Sequence, residues 1–202
     1  MKTYASRRRT IGLAGGALWL IAISIVFITW SLLAIATPMA RQILLVTFVL
    51  LGALVASSVV VLRGALGLPV STTPRSPEEL QIGRRFAWVF GAEMVAFAVV
   101  NSIIVVSGDY PLIPSLNLIV VGIHFFPLAR IFRVPRYNIM GLLFCAIPIV
   151  TLLAISKEMM VGETLAWYVV PGLGCGLVAS LTAVAGLREA WRCVSESRSS
   201  DV

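Results

Sequence analysis

A single histidine, His124, occurs in the 202 residues, and it stands inside an otherwise apolar stretch. Glu93 stands inside another. A carboxylate and an imidazole readily exchange protons near neutral pH. Charge is costly among apolar groups, so an ionisable side chain there is a functional-site candidate by default. Two amides repeat the arrangement: Asn101 lies eight residues after Glu93, and Asn117 seven residues before His124. Face to face, Glu93 and His124 would form an ion pair or share a proton, as in proton relays and substrate paths. Equally, all four could act as hydrogen-bonded glue between helices, at ~0.6–2 kcal/mol per contact. The sequence leaves both readings open.

Other chemistries have less support. Cys145 and Cys175 are also set in apolar stretches and, with Glu93 and His124, are the residue types that ligate zinc. Nothing in their spacing brings the four onto converging faces, so no metal site is assigned. One histidine excludes an H-E-x-x-H site, and no G-x-S-x-G, Walker A or G-x-G-x-x-G motif is present. No catalytic residue and no cofactor are expected, and the balance leans away from an enzyme. Three cysteines without a C-x-x-C give no disulfide framework.

The elements that must hold these residues are set by composition. Apolar residues make up 59% of the chain, charged residues 12%, and the mean hydropathy is +0.98. A soluble domain carries roughly 25% charged residues, so most of this surface faces lipid. Six apolar stretches stand out, at 11–36, 42–62, 86–107, 113–132, 138–156 and 164–187. Each is near the ~20 residues that a helix needs to cross ~30 Å of hydrocarbon. Backbone groups in lipid must be paired within the segment, and sustained alternation is absent, so helices rather than a barrel are expected. The expected fold is all-α: a polytopic six-helix transmembrane bundle forming one integral membrane domain over 1–202.

Charge gives an orientation. Of the sixteen Lys and Arg, Arg41 and Lys157 fall on one side of the spans and the other fourteen on the opposite side. The positive-inside rule puts the fourteen in the cytoplasm, with both termini (N-in, C-in), a cytoplasmic loop at 63–85 and a tail at 188–202. Trp30, Tyr110, Trp167 and Tyr168 then fall near the outer interface, and Tyr4, Trp88, Tyr137 and Trp191 near the inner one. Arg133, Arg136 and Tyr137, at the end of the fourth span, are expected at the inner headgroup level. The net charge of +7 is dispersed over helix ends, which argues against a nucleic-acid partner. The partner expected is the lipid bilayer.

Depth can be counted from these spans. At ~1.5 Å per residue, Glu93 and His124 lie within ~3–4 Å of the same depth, slightly cytoplasmic of the midplane. Asn101 and Asn117 share a second depth. Asn117 and His124 lie about 20° apart around one helix, and Glu93 and Asn101 about 80°. A short connection makes the two spans antiparallel neighbours, so a two-rung polar ladder is expected.

Local signals complete the reading. Arg7, Arg8 and Arg9 resemble a leader's charged region, and Ala34-Ile35-Ala36 a cleavage site. The apolar run between them exceeds the ~7–15 residues of a signal peptide, so the first span is expected to be retained. Ser76, Pro77 and Glu79 form a capping box, which starts the third helix near Pro77. Pro127, Pro148 and Pro171 are expected to kink their helices, a feature of transport sites but also ordinary in membranes. Gly12/Gly16 and Gly172/Gly176, the latter extended by Ser180, make small-residue faces for packing within the chain or for a homo-oligomer. The strings Trp88-Val89-Phe90-Gly91-Ala92-Glu93 and Gly122-Ile123-His124-Phe125-Phe126-Pro127-Leu128-Ala129 resemble a family of small bacterial multi-span membrane proteins of unknown function. The resemblance covers roughly spans three to five. It carries over no activity and implies that the surroundings of Glu93 and His124 are the family's common region; the expected location is the cell membrane, as a bacterial inner-membrane protein. The expected function is therefore non-catalytic binding of a membrane partner or lipid. The alternative is a small transporter or channel-like protein using the Glu93/His124 site.

Overall fold

The structure, a computed structural model, describes residues 7–35, 37–67 and 77–199. The sequence features on Tyr4, Ala36 and Ser76 lie outside the described residues, as do the side chains of Arg8, Arg9, Ala34 and Glu79. Six helices are present: α1 (Arg7–Ile35), α2 (Pro38–Leu66), α3 (Pro77–Ser107), α4 (Ile113–Phe132), α5 (Arg136–Ala154) and α6 (Ala166–Ser199). All six are long and apolar enough to cross a membrane.

The connections follow from local chemistry. The Thr37 hydroxyl accepts from the Ala40 amide at 3.2 Å, and Pro38 opens α2 where a missing N–H costs nothing. α3 starts at Pro77 and ends at Gly108, whose φ of 75° suits glycine. A short 3-10 turn, Tyr110–Leu112, leads into α4. Arg133 ends α4 in the left-handed region, at φ 56°, with the Val134 amide donating to the Ala129 carbonyl at 3.0 Å. α5 and α6 are joined by a hairpin, β1 (Met160–Val161) and β2 (Thr164–Leu165), turning at Gly162 with φ 65°. The turn packs under α1: a Cβ on Gly162 would lie 2.5 Å from the Ile35 carbonyl oxygen.

Two boundaries differ from the sequence reading. Residues 164–165 belong to the hairpin, not to the sixth span. Residues 188–199, expected as a tail, continue α6. Hydropathy misses this extension because Arg188 and Arg192 are exposed, while Ala190 and Val194 stay buried against the core.

α6 lies at the centre and packs on α1, α2, α4 and α5. Its pairing with α1 is the most extensive. Gly172 meets Phe27 and Ser31, and Gly176 meets Ile28, so this small-residue face is used inside the chain. Ring contacts of the fully buried Phe144 with Phe27 and Phe125, at 6.5 and 5.7 Å, join α5 to α1 and α4. α4 and α5 cross at Gly122 and Gly141. A Cβ on Gly122 would lie 2.9 Å from the Gly141 carbonyl oxygen, and one on Gly141 would lie 2.7 Å from that of Gly122. α3 is outermost. Its principal neighbours are α4 and the 3-10 turn, and most of its surface is uncovered.

Gly122→Ala should therefore destabilise the protein by about 1–3 kcal/mol, because two helix backbones would have to separate. Gly12→Ala, where nothing lies within 4 Å, should cost nothing. Reversible unfolding in mixed micelles measures both. Equal stability of the two variants would contradict the close crossing.

Candidate functional site

The seam between α3 and α4 carries the polar residues. On α3, from Val89 onward, Val89, Glu93, Ala96, Phe97, Val100, Asn101 and Ile104 are the covered positions, falling along one stripe at helical spacing. α4 answers with Asn117 and His124, also partly covered. The helices run antiparallel, so depth on one decreases as depth on the other increases, and the two polar pairs stay in register.

The Glu93 Oε2 lies 3.1 Å from His124 Nδ1, and each side chain is 9% exposed. The distance is that of an ion pair. The carboxylate is nevertheless out of line for an Nδ1–H hydrogen bond, and Nδ1 is buried without a hydrogen-bond partner. Both observations hold: the groups are in charge contact but not in aligned hydrogen-bond contact. The backbone of Val89, one turn before Glu93, also faces the imidazole. A small rotation of the ring would align one acceptor or the other.

Two turns further along, the amides are fully engaged. Asn101 Nδ2 donates to Asn117 Oδ1 at 3.1 Å, and Asn117 Nδ2 donates to Asn101 Oδ1 at 3.2 Å. Asn101 Nδ2 also donates to the Phe97 carbonyl at 2.8 Å. This reciprocal pair leaves few polar atoms for a guest. The Glu93–His124 rung retains capacity, since a carboxylate accepts several bonds.

The remaining sequence candidates are spread elsewhere. Pro127, Pro148 and Pro171 lie inside helices that continue past them. Pro127 leaves the Ile123 carbonyl, beside His124, without its amide partner. Cys145 donates weakly to the Ile119 carbonyl at 3.8 Å, on the α4–α5 side. Among the described residues, no three His, Cys, Asp or Glu side chains come together as a metal site. Arg133 is exposed at the end of α4. Arg136 instead turns to α6, where its Nη1 donates to Glu189 Oε2 at 2.7 Å. Tyr137 packs its ring on Phe125 at 5.8 Å, with its hydroxyl toward Gly16 of α1. The Arg136–Glu189 pair escaped sequence reasoning because both residues were assigned to connections. A second missed feature is on α3. Ala87, Gly91, Ala98 and Ser102 are all exposed and line the face turned away from α4.

If the first rung is a coupled pair, the two single changes Glu93→Leu and His124→Leu should each destabilise the protein, and the double change should recover part of the loss. A double-mutant cycle should give a coupling of about 0.5–2 kcal/mol. Additive single effects would reject the contact. No protein-family model, curated protein or solved structure matches this chain.

Proposed function

We propose that this chain is a non-catalytic, multi-pass membrane protein that binds a second membrane protein along α3. The observation that carries the reading is the position of α3. It is held to its own chain through one seam, and its opposite face carries the small residues Ala87, Gly91, Ala98 and Ser102 beside the exposed Trp88, Val95 and Val106. Small side chains let a neighbouring helix come close, which lipid tails do not require. Gly91 has nothing within 4 Å of where a Cβ would stand. The polar rungs give the seam a fixed rotation, because turning α3 would carry Glu93 and Asn101 into lipid.

The orientation proposed is N-in and C-in. The reading draws on the exposed Arg63, Arg84, Arg85, Arg130, Arg133, Arg188 and Arg192 at one set of helix ends, with Arg41 and Lys157 at the other. Arg130, exposed at the end of α4, is the side chain offered here to headgroup phosphates, while Arg136 is engaged by Glu189. The partner is a transmembrane helix, either of another protein or of a second copy of this chain.

A second reading follows from the Glu93–His124 contact itself. An acid–base pair inside a span is also what a proton or ion path uses. Proton flux into proteoliposomes that disappears in Glu93→Gln would favour it.

Docking is tested with a photo-crosslinking residue at Ala98 on α3 or at Val46 on α2, in cells making the full chain. Ala98 should give a discrete protein adduct that Gly91→Leu removes. Val46 should give lipid adducts alone. Lipid adducts alone from both positions would contradict the proposal.

A further inference from the structure

We propose that the Glu93–His124 rung is a proton-counting clasp: it grips α3 with one proton on the pair and loosens it with none or two. The inference rests on the reading of α3 as the docking helix, since it supplies a way to regulate that face.

Charge balance governs the pair, because each side chain is only 9% exposed. With one proton shared between the two groups, the pair is neutral overall, either as carboxylate and imidazolium or as carboxylic acid and imidazole. Either form can bridge the 3.1 Å between the helices. With no proton, a carboxylate faces a neutral ring. With two, an imidazolium faces a neutral acid. Each of these states leaves one net charge in the seam without its counter-charge, so the contact that holds α3 to α4 is weakened.

Among the described residues, neither group is ion-paired to a third side chain; from α5, Tyr137 meets Phe125 beside His124, and Cys145 donates to the Ile119 carbonyl of α4. On α3 the nearest charged side chains are Arg84 and Arg85, both exposed and more than two turns before Glu93. On α4 it is Arg130, exposed and six residues beyond His124. The 3-10 turn brings Tyr110, next to Asp109, at the far end of the seam, and Asp109 faces Lys157 at 3.9 Å. The second rung is Asn101–Asn117, which does not titrate, so it holds the register while the first rung opens. α3 can respond as a unit because its packing within the chain is concentrated on α4.

Two features make the rung responsive rather than rigid. The imidazole and carboxylate touch without an aligned hydrogen bond, so little geometric locking opposes their separation. Pro127 removes the amide that the Ile123 carbonyl would take, so α4 is less rigid at the turn that carries His124.

The test is amide hydrogen exchange of the full chain in nanodiscs, from about pH 4.5 to about pH 9.5, with rates divided by the intrinsic rate at each pH. Protection of residues 89–104 of α3 is compared with that of α1 in the same molecule. The expected profile is bell-shaped, with α3 exchanging about threefold faster, or more, at both ends than at its maximum. Glu93→Gln/His124→Gln replaces the rung with a pair of amides like the one beside it and should give a flat profile. A flat wild-type profile, or the same bell in wild type and variant, overturns the proposal. Should the double variant not fold, the wild-type ratio of α3 to α1 still decides. No partner is present in this experiment, so its failure is distinct from failure of the docking reading, which the crosslinks test.

Discussion

Within hydrocarbon, a polar side chain has no water to turn to, and its most stable position is against another polar side chain. That constraint holds the edge of this protein together. α3 has a mostly apolar surface, and lipid satisfies such a surface as well as a neighbouring helix does. Apolar contact therefore gives α3 little reason to prefer one rotation over another. Glu93 and Asn101 supply the preference. Both must find partners, and both find them on α4, at 3.1 Å in each rung. The face opposite is fixed as a consequence, and so is the direction in which its small residues point.

The rest of the molecule uses a different device. Around α6 the helices approach closely through glycines, with Gly172 and Gly176 taking side chains of α1 and Gly122 facing Gly141 between α4 and α5. Here dispersion and shape do the work that polar contact does at α3. The Arg136–Glu189 pair ties the start of α5 to the last turns of α6, and the Gly162 turn closes against the end of α1. α3 differs in being joined to the rest mainly through one seam, which carries the Glu93–His124 and Asn101–Asn117 contacts.

Much of this was legible in the sequence and some was not. Hydropathy located six apolar helices because each span is a simple sum over its residues. Counting rise from the span ends was enough to put Glu93 level with His124 and Asn101 level with Asn117, because a short connection leaves little freedom of register. The Gly122–Gly141 crossing was not legible, since the two glycines are on different helices and neither belongs to a G-x-x-x-G pattern. The continuation of α6 through residues 188–199 was hidden by Arg188 and Arg192, which lie on the exposed side of the helix. Nor could one sequence say that α3 would be outermost. Its composition is that of any span, and its isolation is a property of how the other five pack. Tyr137 shows the same limit: its position at a span end suggested the headgroups, but a gap between Phe125 and Gly16 takes its ring and hydroxyl inward.

The account turns on the contact between Glu93 and His124, and the chain offers a direct way to see it. His124 is the sole histidine, so a single isotope label reports on it without ambiguity. Solid-state NMR of the protein in lipid, with 15N-histidine and 13C-glutamate, measures the dipolar coupling between the imidazole nitrogens and carboxyl carbons. The account predicts a coupling that places one carboxyl carbon within about 5 Å of the ring and that vanishes in Glu93→Gln. An imidazole with no carboxyl carbon in range, in protein whose remaining spectrum shows a folded chain, would contradict it.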